Sequence, residues 1–441
     1  MGFDTSTPAV VFKLDPNVMH HGGLGVIRSL GRAGVPVYAV AEDSLAPAAH
    51  SRYVRGRWLW SPEPEDVDSV LDGLQLLAER IGRQAVLIPT DDAGAIFLAE
   101  HGSELSPWYR FARPPRELPR ALAGKYSMYR LCRRMGVPCP EAVPATTWEQ
   151  AQDFAERVGY PLVAKLATPW CAAGAKKVRS TTIVRSADEL SELHERCGKT
   201  GVGGLMLQEY IPGGADTDWF FHAYCDETST CLPAFTGVKE RSYPAHAGLT
   251  SLGCCRPNPE LAREATALLE RLGYRGIVDL DFRWDARDGR YKLLDFNPRL
   301  GAQFRLFTDS AGMDVALASY VDLTGQPVPA GEPPEGRRFL VENYDPVAAL
   351  RYWRRGELRP RAWLSSVRGV DETAWFARDD LLPFALMCVW TACRAAVRPL
   401  PVPRRARHPE LAEPQYVPGR NLAPEWPIKR RRERLFEEEH T

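Results

Sequence analysis

The sequence lacks several features that mark common classes of protein. Its 10 cysteines include no CxxC pair and no metal-finger spacing, so we expect reduced thiols in a cytoplasmic protein. The N-terminal residues show no basic region followed by an apolar stretch, which argues against a secretory signal. Lys plus Arg and Asp plus Glu each number 56. This balance gives no sign of nucleic acid as the main partner.

Long apolar runs are also missing. The longest, from Leu381 to Cys393, is interrupted by Pro383 and is shorter than the ~20 residues needed to cross a bilayer. We interpret this run as a helix buried in the core. The alternative, from another functional class, is a membrane-surface binding or scaffold protein. In that case the helix lies in the interface and the basic segments 351–361 and 429–434 dock on anionic lipid.

The first 120 residues alternate strand and helix patterns. Apolar strands are predicted at 9–14, 35–40 and 85–89, with helices at 25–33 and 67–81 between them. This order predicts a parallel, Rossmann-like sheet covered on both faces. We therefore assign residues 1–120 to one α/β domain.

Two loops of this domain lie where an open sheet binds ligands. Gly23 and Gly25 form G-x-G, but Arg28 takes the third glycine position of a dinucleotide fingerprint. The loop at 20–25 is therefore either a tight turn or a contact for substrate or phosphate. Residues 90–92 either cap the next helix or contact substrate.

Beyond the prolines at 114, 115 and 119, the pattern changes to an α+β region. The sequence predicts helices at 125–135, 148–158, 187–197 and 259–272, strands at 162–166, 181–184, 205–210, 219–225 and 234–239, and a hairpin from Ile277 to Asn297. Residues 326–441 are assigned to a C-terminal extension with one apolar helix. Its end is rich in proline and arginine, and we expect an extended strap there.

The predicted hairpin carries the most informative acids. If residues 287–289 form a three-residue loop, Asp281 faces Asp295 and Asp279 faces Asn297. Because side chains alternate along a strand, all four project from one face, while Leu280, Phe282, Leu294 and Phe296 form the buried face. Clustered carboxylates need a cation between them, and oxygen ligands suit Mg²⁺ bound together with phosphates. A solvated polar face is the alternative.

Five ordered segments resemble motifs of the ATP-grasp superfamily, in the manner of its carboxylate–amine ligases and their D-aspartate ligase-like branch. They are LAGKYSMYRLCRRMGVPCPEA, YPLVAKLA, LQEYIPGGADTDW, KERSYPAHAGLTS, and LDF with LLDFNPRLG, and the resemblance covers roughly residues 10–325. It implies a Rossmann-like pre-ATP-grasp domain (1–120) followed by a two-lobed ATP-grasp domain (121–325). The small lobe would span about 121–204 and the large lobe about 205–325.

The resemblance also implies roles for individual residues. Asp281, Asp295 and Asn297 would hold Mg²⁺, with Mn²⁺ as an alternative ion, and Arg299 would steady the reacting phosphoryl or carboxyl group. The residues expected to bind ATP are Lys125, Lys165 and Lys177 at the phosphates, Gln208, Glu209 and Ile211 at the adenine, and Asp218 or Asp216 at the ribose. Lys239 and Arg241, on a predicted loop over the phosphates, would contact the γ-phosphate or the substrate carboxylate. A surface lysine, a turn-capping acid or a solvated loop is the alternative in each case.

The function implied is an ATP-dependent carboxylate–amine ligase. It would form an amide or peptide-like bond through an acyl phosphate, with release of ADP and phosphate. Amino acids or small peptides are the expected substrates, and a homodimer is common among such ligases. The rival within the same fold is a phosphotransferase, or a ligase that uses a non-amine acceptor.

Overall fold

The computed structural model describes residues 2–167, 181–200, 205–214, 216–246, 248–397 and 414–419. Its helices are α1 His21–Arg32, α2 Val67–Ile81, α3 Asp92–His101, α4 Leu118–Ala123, α5 Lys125–Met135, α6 Trp148–Val158, α7 Ala187–Thr200, α8 Pro259–Leu272, α9 Val315–Leu323, α10 Asp345–Arg354, α11 Pro360–Val367 and α12 Leu382–Val397. The predicted helices at 67–81, 125–135, 148–158 and 259–272 are confirmed.

The described strands form three sheets. In chain order they are β1 Ala9–Phe12, β2 Val37–Ala41, β3 Val54–Leu59, β4 Ala85–Pro89, β5 Tyr109–Arg110, β6 Ala142–Ala145, β7 Leu162–Leu166, β8 Thr181–Val184, β9 Leu205–Glu209, β10 Asp218–Cys225, β11 Cys231–Tyr243, β12 Leu249–Cys255, β13 Gly276–Asp285, β14 Arg290–Asn297, β15 Arg338–Leu340, β16 Glu372–Thr373 and β17 Gln415–Pro418.

The first sheet has the order β17-β3-β2-β1-β4-β5. Strands β1 to β5 are parallel, and all four residues of β1 are buried, as expected for a strand covered on both faces. α1 begins at His21, four residues earlier than the predicted start at Gly25. The segment 20–25 is therefore mostly the first turn of a helix rather than a loop.

The second and third sheets form the α+β region. The second has the order β6-β9-β7-β8 and is antiparallel. β9 pairs here with β6 and β7, so this sheet extends to Glu209, five residues beyond the boundary expected near 204. The third sheet has the order β14-β13-β10-β11-β12-β15-β16.

Helix ends follow local sequence signals. α8 starts after Asn258, whose side chain accepts a hydrogen bond from the Leu261 N–H, and Pro259 takes the first helical position. It ends at Gly273 in the left-handed conformation (φ 60°). α2 is similarly bounded by Asp66 and by Gly82 (φ 78°). Such signals explain why these helix boundaries could be predicted.

The segment after residue 326 joins two of these sheets. β15 and β16 extend the third sheet beside β12, and β17 pairs antiparallel with β3 at the edge of the first sheet. A buried ion pair between Arg28 of α1 and Asp380 (3.0 Å) ties the same segment to the first domain. The predicted strap therefore includes a strand.

The prediction of a buried helix near 381–393 is wrong. α12 occupies this segment and buries Met387, but Leu381 is 54% exposed and Val389 is 58% exposed. No helix among the described residues is long and apolar enough to cross a membrane.

Candidate active site

The hairpin of β13 and β14 presents the predicted oxygen ligands together. Asp279 pairs with Asn297 and Asp281 pairs with Asp295, which confirms the register predicted from the sequence. Since paired residues of an antiparallel ladder project to the same side, four oxygen-bearing side chains share one face of the third sheet.

The turn that creates this register differs from the prediction. The last ladder pair before the turn is Asp285 with Arg290, so the loop holds four residues and not three. Gly289 closes it in the left-handed conformation (φ 65°), with its N–H donated to the Asp285 carbonyl (2.9 Å). A β-bulge then restores the expected register, because Phe282 pairs with Leu293 while Asp281 pairs with Asp295.

The bulge changes the role of Leu294. Leu293 is buried and occupies the core position that the sequence analysis gave to Leu294. The backbone carbonyl of Leu294 instead accepts a hydrogen bond from the Lys165 ammonium at 2.6 Å. The irregularity therefore supplies a polar contact for a predicted ATP-binding lysine.

Three lysines face the acids of the hairpin from other elements. Lys125, at the start of α5, pairs with Asp295; Lys239 of β11 pairs with Asp281 at 2.8 Å; and Lys165 comes from β7. All three ammonium groups are largely buried. Positive groups from three separate elements thus converge on one carboxylate face.

Burial and charge shift the titration of these groups in different directions. Burial, reinforced by the charges of Lys125 and Lys239, lowers the pKa of Lys165 to about 8, although Asp295 opposes the change. Burial also disfavours a charged Asp295, but the two lysines near it lower its pKa below the usual range. Desolvation raises the pKa of Asp281 against the pull of Lys239. The space between the carboxylate face of the hairpin and the three lysines, called the cleft below, is therefore a desolvated site in which charges compensate one another.

Asp279 is the centre of a second network. The sequence analysis placed it on the carboxylate face but gave it no role of its own. Its carboxylate lies 3.1 Å from Nε2 of His222 and accepts hydrogen bonds from Arg299 (3.1 Å) and Asn297 (3.2 Å). Although burial opposes ionisation, His222 and Arg299 lower the pKa of Asp279. Arg299 also lies 3.3 Å from Asp92 at the start of α3.

This network is tightly packed. His222 is fully buried on β10, and Gln303 lies 3.2 Å from its Nε2 atom. A Cβ atom on Gly301 would lie 2.2 Å from the His222 ring and 2.8 Å from Asp279, so only glycine fits there. A lone histidine inside an apolar strand gave no sequence signal for this contact.

The donor set fits Mg²⁺ bound together with phosphates. Within the described chain, no group of three acidic, His or Cys side chains forms a ready-made metal site. However, Mg²⁺ usually takes one or two protein carboxylates and completes its shell with phosphate oxygens and water. Asp281, Asp295 and the Asn297 amide provide this kind of partial set.

Several of the residues predicted to bind adenine and ribose form ion pairs or hydrogen bonds with two arginines of β13 and the turn after it. Gln208 is buried on β9, and Glu209 pairs with Arg287 at 2.7 Å. Arg283 donates to the Ile211 carbonyl at 3.1 Å and to both oxygens of Asp218 at 2.5 and 2.9 Å. Arg283 therefore joins Asp218 to the segment that follows β9.

Of the remaining predicted residues, some lie at the candidate site and others form contacts elsewhere in the fold. Asp216, in the left-handed conformation (φ 66°), pairs with Arg256 on the surface, whereas Asp218 pairs with Arg283. The predicted phosphate loop at 239–251 is mostly strand, since Lys239 and Arg241 lie in β11. Arg241 turns away from the carboxylate face and binds the buried Asp345 at 2.8 and 2.9 Å. Lys177 lies outside the described residues.

The first sheet reaches the site through its carboxyl edge. Asp91 caps α3 by accepting from the Gly94 N–H and also binds the Leu14 and Asp15 N–H groups. Asp92 contacts Arg299 directly. The capping alternative is therefore right for Asp91, while its neighbour Asp92 joins the candidate site.

Comparison with known proteins gives relatives in sequence and in structure. The chain is 24% identical over 306 residues to a D-aspartate ligase from Enterococcus faecium, covering 66% of this chain and 72% of that one. It is 23% identical over 239 residues to the C-terminal section of a carbamoyl phosphate synthase large chain from Methanopyrus kandleri, covering 51% and 42%. It thus spans less than half of that second relative. No family model matches.

Solved structures share the fold at low sequence identity. An N5-carboxyaminoimidazole ribonucleotide synthetase from Thermus thermophilus has a TM-score of 0.52 at 17% identity, covering 75% of this chain and 81% of that one. The biotin carboxylase domain of a 2-oxoglutarate carboxylase from Hydrogenobacter thermophilus, solved with MgADP and bicarbonate, has a TM-score of 0.55 at 15% identity, covering 76% and 74%. These neighbours confirm the predicted fold class.

Proposed function

We propose that the chain is a carboxylate–amine ligase of the ATP-grasp superfamily, which its ordered motifs resemble, and that it forms an amide bond through an acyl phosphate. One observation carries the proposal. Lysines from α5, β7 and β11 converge on a face of the β13–β14 hairpin that holds three carboxylates and Asn297. This arrangement suits a phosphorylated ligand bound with a divalent cation.

The proposed reaction has two steps. A substrate carboxylate oxygen attacks the γ-phosphorus of ATP, the bond to the β-phosphate oxygen breaks, and ADP leaves. The amine then attacks the acyl carbon, the carbon–oxygen bond breaks, and phosphate leaves with the oxygen that came from the carboxylate. The amine proton passes to phosphate or solvent. The nucleophiles are the substrates, so the protein contributes positioning and charge.

Named residues would divide these tasks. Lys125 and Lys165 would bind the phosphates, and Arg299 would stabilise charge on the transferring group. Asp281, Asp295 and Asn297 would hold Mg²⁺, which supplies charge neutralisation at the phosphate oxygens when bound. Gln208, the backbones of Glu209 and Ile211, and Asp218 would bind the nucleoside. Burial of the cleft strengthens each of these electrostatic contacts.

The name of the D-aspartate ligase relative favours an amino acid as one substrate. We propose amino acids or small peptides as substrates, and Mn²⁺ as an alternative to Mg²⁺. We also propose a cytoplasmic, homodimeric enzyme with an N-terminal domain ending near 120 and an ATP-binding region ending near 325.

The experiment is a screen of paired carboxylates and amines for ADP release, with the products identified by mass spectrometry. We expect amine-dependent ADP release for at least one pair. With an ¹⁸O-labelled carboxylate, the released phosphate should gain one ¹⁸O atom. Lys165→Ala should reduce turnover at least about 100-fold, because it removes a buried charge at the phosphates.

Lys292→Ala is the matched control, since Lys292 lies on β14 but pairs with Asp288 at the surface end of the hairpin. ADP formation without an amide product would favour the phosphotransferase or non-amine ligase. Equal turnover of Lys165→Ala and the wild type would overturn the assignment of the site.

A further inference from the structure

The solvent-facing side of α10 carries large apolar side chains that contribute nothing to the buried core. Val347, Leu350 and Trp353 recur every third residue and are 42%, 40% and 53% exposed. The opposite face buries Ala348 and Ala349. A surface helix normally turns its apolar stripe to the core, so a second apolar stripe facing outward indicates an interaction surface.

Positive charge lies at the C-terminal end of this apolar face. Arg354, Arg355, Arg359 and Arg361 are exposed on the end of α10 and the start of α11, where Leu364 is also 46% exposed. The two acids between residues 345 and 367 are engaged elsewhere. Asp345 is buried against Arg241, and Glu357 pairs with His246 at 2.7 Å. The surface therefore combines large apolar side chains with a cluster of arginines.

A second element has the same character. Leu381, just before α12, and Val389 within it are exposed, and Arg394 near the end of the helix is exposed as well. Arg394 is an electrostatic neighbour of Tyr344, the residue that precedes α10.

We propose that the outward face of α10, with the arginines that follow it, docks on an anionic phospholipid bilayer surface. Exposed Trp and Leu side chains insert at the headgroup boundary while arginines bind lipid phosphates. Nucleic acid would use the arginines but gain little from Val347, Leu350 and Leu364. A second copy, placed face to face, would bring the two arginine clusters against each other.

Hydrogen bonds connect α10, which carries the docking surface, to a turn beside the candidate active site. The Tyr352 hydroxyl accepts from the backbone N–H groups of Ser242 and His246, at the turn between β11 and β12. Arg283, the partner of Asp218, reaches the His246 carbonyl at the same turn (3.4 Å). Docking would therefore hold the cleft close to the lipid surface.

The test is flotation of the full-length protein with vesicles. We expect binding to vesicles of phosphatidylcholine with phosphatidylglycerol, weaker binding at high salt, and none to phosphatidylcholine alone. Two double variants should each weaken vesicle binding at least about tenfold. One carries Leu350→Ser with Trp353→Ser, and the other carries Arg354→Glu with Arg355→Glu. Leu76→Ser and Arg263→Glu, on exposed positions of α2 and α8, should bind like the wild type.

Several outcomes would overturn the proposal. They are equal binding of all variants, equal binding to neutral vesicles, or self-association in sedimentation velocity that the α10 variants abolish without any vesicle binding. Thermal melting checks that the variants fold. The inference does not depend on the ligase assignment, because vesicle binding is measured without ATP or substrates. The α10 variants should also keep any ADP release of the wild type in the absence of vesicles.

Discussion

At the scale of single residues, Asp279 connects two residues of a quoted motif, Asn297 and Arg299, to His222, which no motif identified. It holds Arg299 and Asn297 on one side and His222 on the other, in a pocket closed by Gly301. Arg299 and Asn297 are the proposed phosphoryl and Mg²⁺ residues, so Asp279 acts through them as a positioning residue. Its negative charge fixes the guanidinium in place without contacting substrate.

This role predicts that Asp279→Asn will lower kcat by roughly 10- to 100-fold, since the substitution keeps the shape but removes the charge that orients Arg299. The KM for ATP should change less, because Lys125 and Lys165 bind the phosphates from other elements. Steady-state kinetics with saturating ATP measures the split between the two constants.

Asp288→Asn is the control for this substitution. Asp288 lies in the turn of the same hairpin and pairs with Lys292, so its loss should leave both constants near those of the wild type. A rise in the KM for ATP without a fall in kcat would contradict the positioning role of Asp279.

At the scale of elements, the β13–β14 hairpin combines a regular ladder with one extra residue. The bulge at Leu294 lets a four-residue turn reach the same register as a three-residue one. It also presents the Leu294 carbonyl to Lys165. A local irregularity thus sets both the carboxylate face and the contact with the second sheet.

Deletion of Leu294 should straighten β14 and keep Asp281 opposite Asp295, because only the unpaired residue is removed. The carbonyl acceptor of Lys165 would be lost. Hydrogen bonds to charged groups contribute about 1.5–3 kcal/mol, so we expect the affinity for ATP to fall by roughly 10- to 100-fold in a direct binding titration.

The control is Leu294→Ala, which keeps the backbone carbonyl and removes a side chain that is only partly buried. It should bind ATP within a few-fold of the wild type. Equal loss in the deletion and in Leu294→Ala would show that the side chain, and not the carbonyl, is important.

At the scale of the whole molecule, a strand from late in the chain completes one edge of the first sheet. β17 covers the edge of β3, with Tyr416 packed over Gly56 and the Arg80 guanidinium 4.4 Å from the Tyr416 ring centre. An uncovered edge strand offers unpaired backbone groups to other chains. The C-terminal strand therefore protects the N-terminal sheet.

Removal of residues 414–441 should lower the melting temperature by at least about 5 °C and promote aggregation, because it exposes β3 and uncovers Trp58 and Tyr38. Differential scanning fluorimetry and light scattering measure the two effects. Removal of residues 420–441 keeps β17 and is the matched control. Equal behaviour of both truncations would contradict a stabilising role for β17.

The sequence by itself determined what depends on near neighbours in the chain. Capping residues and glycines specified helices such as α2 and α8, and alternation of side chains specified the carboxylate face of the hairpin. Ordered motifs pointed to Lys125 and Lys165. These signals are local, so they could be read without a structure.

Only the tertiary structure decided which distant groups meet. Asp279 contacts His222 and Arg299, Arg241 is committed to Asp345 instead of the cleft, and β17 returns to β3. The outward face of α10 was equally hidden, because an apolar period of three does not say which side of a helix meets the core. Burial and long-range pairing are properties of the packed chain. They decide which charged side chains lie in the cleft and which form structural ion pairs outside it.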